Sequence, residues 1–216
     1  MQWPNDAYQI AQDILQGNNN PHIKACGIDG RLQIHSRHMW HTLTLALQTD
    51  FPSFAKHEQA VHWWHLFIAA QPVAQLTELP EKFVAWLTEQ DISSDWLARA
   101  RFDLACQQAL HQPSARQAPM PEHFNKVTTL AALVALEYNP LNNWHKAKTY
   151  LALRREGNRI AQYPLSAADF ALLTSMPKLG LMAALTQVLE TTPDFPANSR
   201  LPALWQANLI GEPRTA

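Results

Sequence analysis

Apolar residues in the first half of the chain recur at the three- and four-residue spacing of helices that bury one side. Ile10, Ile14 and Leu15 follow Asn5 or Asp6 as an N-cap, and Gly17 stands where that helix would stop. A second helix is expected from about His35 to Gln48, with Met39, Trp40, Leu43 and Leu47 on one stripe and Phe51-Pro52 ending it. A third, from Glu58 to Ala70, brings Val61, Trp64, His65 and Ile68 to one face. Pro80 suits the first turn of a fourth, in which Phe83, Trp86 and Leu87 have the spacing of a buried face. Ser93 or Ser94 can cap a fifth over Asp95 to Leu110, with Leu97, Ala100, Leu104 and Ala105 inward.

The stretch from Gln112 to Pro121 holds three prolines and almost no large apolar residue, so it can neither continue a helix nor build a strand. A domain boundary is placed there, between a helical bundle over 1–115 and a smaller domain over 122–216. In the latter the period changes. Leu133 to Tyr138 and Thr149 to Arg154 read as strands, Gly157-Asn158 as a two-residue hairpin turn, and Arg159 to Tyr163 as a third strand. Ser166 then caps a helix holding Phe170, Leu172 and Leu173. Leu181, Leu185, Val188 and Leu189 mark another, and Leu201, Leu204, Trp205 and Leu209 a last one. The expected class is mainly α within α+β, an N-terminal helical bundle followed by a βββααα, winged-helix-like domain.

Composition narrows the function classes. The chain has 216 residues, enough to bury a core without staples, and its two cysteines, Cys26 and Cys106, form no CxxC pair, which suits a reducing compartment. No charged-then-apolar leader opens the sequence and no membrane-length apolar run occurs, so a cytoplasmic protein is expected. With 17 Lys plus Arg against 18 Asp plus Glu, no global field draws it to a polyanion.

Candidate chemistry is sparse. His38 with His41, and His62 with His65, have the i, i+3 spacing that can place two rings on one metal, but neither helix adds a carboxylate on the same turn, so no metal site is assigned. No Ser or Cys sits in a strand-turn-helix elbow, Cys106 lies mid-helix among apolar residues, and the six glycines form no phosphate-cradling loop. Arg99 and Asp103 read as a solvated ion pair. An autonomous enzyme is therefore not expected, nor a cofactor of the chain's own. Lys146, Lys148, Arg154, Arg155 and Arg159 surround the hairpin with only Glu156 opposing them. A winged helix could meet phosphate there, although Arg154 and Arg155 in one strand point to opposite faces.

The order of short segments carries a resemblance. Arg31-Leu32-Gln33-Ile34-His35 leads through Leu43, Ala46-Leu47 and Phe51-Pro52 to Trp63-Trp64-His65-Leu66-Phe67 with Gln71-Pro72. Phe83-Val84-Ala85-Trp86-Leu87 and Leu97-Ala98-Arg99-Ala100-Arg101-Phe102 follow. This resembles the HvfC/BufC family, often labelled DNA-binding, with His35 where the family usually has Tyr and Asp103 where it often has Glu. Tyr150-Leu151-Ala152-Leu153, Pro164-Leu165-Ser166 and Ala171-Leu172-Leu173 look like its C-terminal half. Met39-Trp40-His41-Thr42-Leu43 is similar to a methanobactin-biosynthesis partner protein. The resemblance implies a non-catalytic partner of a multinuclear non-haem iron oxidase that modifies a ribosomally made precursor peptide, with iron in the oxidase. The order βββααα is also similar to leader-recognition domains, in which peptide adds to the third strand beside the last helix. That similarity implies peptide contacts at Arg159, Ile160, Ala161, Gln162 and Tyr163, with Leu204 and Trp205 behind them. The competing expectation is a DNA-binding regulator using Lys146, Lys148, Arg154 and Arg155.

Overall fold

The structure is a computed structural model that describes residues 29–70, 76–112 and 127–212. Among them run seven α-helices and five strands, so the class is mixed α and β. The helices are α1 (Asp29–Asp50), α2 (Ala60–Ala70), α3 (Leu79–Thr88), α4 (Ser94–His111), α5 (Ala167–Leu179), α6 (Leu181–Thr191) and α7 (Ala197–Gln206). The strands are β1 (Thr128–Thr129), β2 (Ala132–Asn139), β3 (His145–Glu156), β4 (Arg159–Leu165) and β5 (Ile210–Gly211). The expected helix around Ile10 and Ile14 lies outside the described residues, as does the proline-rich boundary beyond Gln112. The chain divides into two compact units between Ala100 and Arg101, a cut that falls within α4.

The first unit is packed by rings. Phe51, Phe54, Phe67, Phe83 and Leu87 are fully buried, and Phe83 meets Phe51, Phe54 and Phe67 edge-on with centroids 5.0, 5.4 and 5.3 Å apart. Such edge-to-face pairs add to the burial of the rings themselves. Pro80 lies in the first turn of α3, where its missing N–H leaves no carbonyl unpaired. Two expectations need correction. In α2 the buried side is Ala60, Trp64, Phe67 and Ile68, whereas Val61 is 51% exposed and His65 also faces solvent. This helix is apolar nearly all round, so spacing alone does not fix its phase. In α4, Asp103 is buried rather than solvated, and the Arg99 guanidinium lies 4.5 Å from the centre of the Trp96 ring.

The second unit holds an antiparallel sheet in the order β2-β3-β4. Gly157 opens the tight β3–β4 turn with φ 61°, a backbone setting that costs a side-chain-bearing residue about 1–2 kcal/mol. The cross-strand row Leu133, Ala152 and Tyr163 faces a core built from α5, α6 and α7, including Leu172, Leu173, Met176, Leu181, Leu204 and Trp205. On the opposite face Val134, Leu136, Leu151 and Leu153 are buried too, so β2 and β3 are covered on both sides. Ser166 caps α5 as expected: its hydroxyl accepts from the Asp169 N–H, and the Asp169 carboxylate accepts from the Ser166 N–H. A second, two-stranded sheet pairs Thr128 with Gly211 and Thr129 with Ile210. Leu209 belongs to the turn before β5 rather than to α7. No helix among the described residues is long and apolar enough to cross a membrane.

Candidate functional site

β4 is an outer strand. It pairs with β3 from Arg159 opposite Glu156 to Leu165 opposite Tyr150, and no strand among the described residues lies on its other side. Its backbone can therefore accept a further strand, and Pro164 suits such an edge because no N–H is needed there. Arg159 and Gln162 are exposed, while Ile160, Ala161 and Tyr163 are half-buried. Leu204 and Trp205 are 2% and 6% exposed and belong to the core against which Tyr163 packs. They back the strand from within and present almost no surface. The other outer strand, β2, meets the Gln112 amide at its start: with the nitrogen turned toward Leu130, it donates to the Leu130 carbonyl (2.9 Å) and accepts from the Ala132 N–H (3.2 Å).

A polar chain fixes the helix-facing side of β4. The Tyr163 hydroxyl donates to Glu156 at 2.6 Å, Glu156 lies 3.5 Å from Arg154, and Arg154 donates to the Ala207 carbonyl at the end of α7. A cation at a helix C-terminus satisfies carbonyls that the helix leaves unpaired. Burial, then the Glu156 hydrogen bond, push the Tyr163 phenol above its ordinary range. It is protonated and a donor at neutral pH.

The basic residues separate into two sets. Arg154 is buried, and Arg155 on the other face donates to Leu110 (3.1 Å), in the last turn of α4, and to Gly157 (2.9 Å). Lys146 and Lys148 are exposed. Lys148 extends over the Tyr150 ring at 5.6 Å, and Tyr150, with Glu137 nearby, holds the ammonium above its usual range. The four cations proposed to meet DNA thus do not share one free surface.

One pocket of about 410 Å³ opens at the start of α5, lined by Ser166, Asp169, Phe195, Pro196 and Arg200. Arg200 binds Asp169 through two nitrogens at 3.0 and 2.7 Å. Burial pulls the Asp169 carboxyl upward, but hydrogen bonds from Arg200 and Ser166 outweigh it and hold it below its ordinary value. Sequence reasoning missed this pair, because Asp169 and Arg200 meet only when α5 and α7 pack. The sequence signal available was the capping box alone.

Among the described residues no group of three or more His, Cys, Asp or Glu could hold a metal ion. His38, His41, His62 and His65 are all exposed, and His65 meets Trp40 edge-on at 5.2 Å. Burial, with the Asp103 carboxylate close by, pushes the Cys106 thiol up to about 12, so little thiolate exists at neutral pH. The chain matches no protein-family model and no curated protein. The resemblance to the HvfC/BufC family therefore rests on the residues quoted for it.

Proposed function

We propose that the chain is a non-catalytic, cytoplasmic recognition subunit. In this reading a C-terminal winged-helix-like domain over 122–216 captures a ribosomally made precursor peptide as an added strand along β4. A helical bundle over 1–115 engages a multinuclear non-haem iron oxidase, which supplies the iron and the chemistry. The observation that carries the reading is the edge of β4: among the described residues its backbone pairs with a strand on one side only, and Arg159, Ile160, Ala161, Gln162 and Tyr163 are all at least partly accessible. Backbone hydrogen bonds would supply affinity and the alternating side chains selectivity. Leu204 and Trp205 would keep the strand in place from the core.

The competing DNA-binding reading draws less support. Arg154 and Arg155 already donate to backbone carbonyls, and the net charge is close to zero. The deciding measurement is binding of the purified chain, at physiological salt, to a candidate leader peptide with its oxidase and separately to mixed duplex DNA. Saturable peptide or oxidase binding, with the peptide component lost on Ile160→Pro, is the expected result. Tight duplex binding weakened by Lys148→Ala and Arg155→Ala, with no response to peptide or oxidase, would replace this reading by a transcriptional regulator.

A further inference from the structure

β3 is longer than the strand beside it. β2 pairs along it from His145, but β4 reaches only to Tyr150, so His145 to Thr149 have no strand among the described residues on the β4 side. His145, Lys146, Ala147 and Lys148 are exposed, unlike the buried residues Leu151 to Arg154 that follow in the same strand. The sheet thus carries a step, a second short open edge in line with β4 and beyond its end.

The step has a sign. Alternation puts Lys146, Lys148 and Tyr150 on one face, Lys148 lies over the Tyr150 ring, and no acidic residue falls within His145–Thr149. Glu137, at the register shift of β2, is the acidic group close to Lys148. A second copy of this chain is a poor occupant, since pairing like edges would set lysines against lysines. Nucleic acid offers no strand-type backbone pairing.

We infer that the open edge of β3 at His145–Thr149 docks an extended acidic peptide segment, whose alternate carboxylates face Lys146 and Lys148 while its backbone continues the sheet. This deepens the proposed peptide-capturing role and rests on it, but it uses an edge other than the outer side of β4.

The test uses three blocked heptapeptides titrated into the isotope-labelled full chain: Thr-Glu-Val-Glu-Val-Glu-Thr and its counterparts with Gln or Lys in place of Glu. The Glu peptide should shift the amides of His145 to Thr149 saturably and bind about three- to tenfold tighter than the Gln peptide, with the Lys peptide weakest. The double variant Lys146→Glu and Lys148→Glu should invert that order, and Lys148→Pro, which removes a backbone N–H that alternation from Glu156 turns to the open side, should abolish binding where Lys148→Ala only weakens it. Equal affinity for the three peptides would overturn the charge selection. Shifts confined to Arg159–Leu165 would overturn the use of this edge while supporting capture on β4. Concentration-dependent broadening of these amides without peptide would assign the edge to a second copy. A single-stranded oligonucleotide binding there more tightly than the Glu peptide would assign it to nucleic acid. Absence of binding by all three peptides overturns the inference, whereas the proposed function fails on its own test with leader peptide and oxidase.

Discussion

The two halves of β3 differ more than many separate strands do. From Leu151 to Leu153 every side chain is buried, flanked by strands on both sides and covered on both faces, whereas from His145 to Lys148 every side chain is exposed and, among the described residues, a strand flanks one side only. Cations follow the same division: Arg154 and Arg155 spend their hydrogen bonds on internal carbonyls, while Lys146 and Lys148 stand in water. One strand can therefore hold a fold together at one end and remain chemically open at the other.

Substitutions should reproduce that division as a gradient of stability. Leu153→Ala, in the closed half, should cost about 2–5 kcal/mol in a urea unfolding titration, because a fully buried side chain leaves a cavity. Asp169→Ala should cost roughly 1–3 kcal/mol, since it removes the carboxylate half of the capping box and strands a partly exposed Arg200. Its pH dependence sharpens the point. A carboxyl whose folded pKa lies below its ordinary 3.8 contributes stability above that value and loses it as pH falls through the folded pKa. Unfolding free energy should therefore drop on acidification below about pH 4, and Asp169→Asn should flatten that slope. Gly157→Ala, at the turn where the closed half ends, should cost about 1–2 kcal/mol, read as a lowered thermal midpoint. Lys146→Ala, in the open half, should change stability by less than about 0.5 kcal/mol. A cost there comparable to that of Leu153→Ala would abolish the distinction between the halves.

Local chemistry made part of this legible in the sequence. Gly157-Asn158 specified its turn, Ser166 its cap, and the β-branched and aliphatic runs of β2 and the closed half of β3 their strands. The open half escaped because His-Lys-Ala-Lys has no apolar face for alternation to reveal. β1 and β5 escaped because two-residue strands brought together from distant parts of the chain carry no local pattern. In α2, apolar residues on nearly every side hid which of them face inward. The expected peptide contacts at Arg159 to Tyr163 came from hairpin logic. That Leu204 and Trp205 lie inside rather than at the surface depends on how α7 packs.

The pairing of β1 with β5 also bears on the order of assembly. The β2-β3-β4 meander joins neighbours in sequence, so its loops close cheaply and early. The Thr128–Gly211 ladder must await the placement of everything between its two strands, and it spans only two residues on each side. It is the natural last event in folding and the first in unraveling, so hydrogen exchange at the Leu130 and Gly211 amides, which point into the ladder, should report partial opening well before the sheet dissolves.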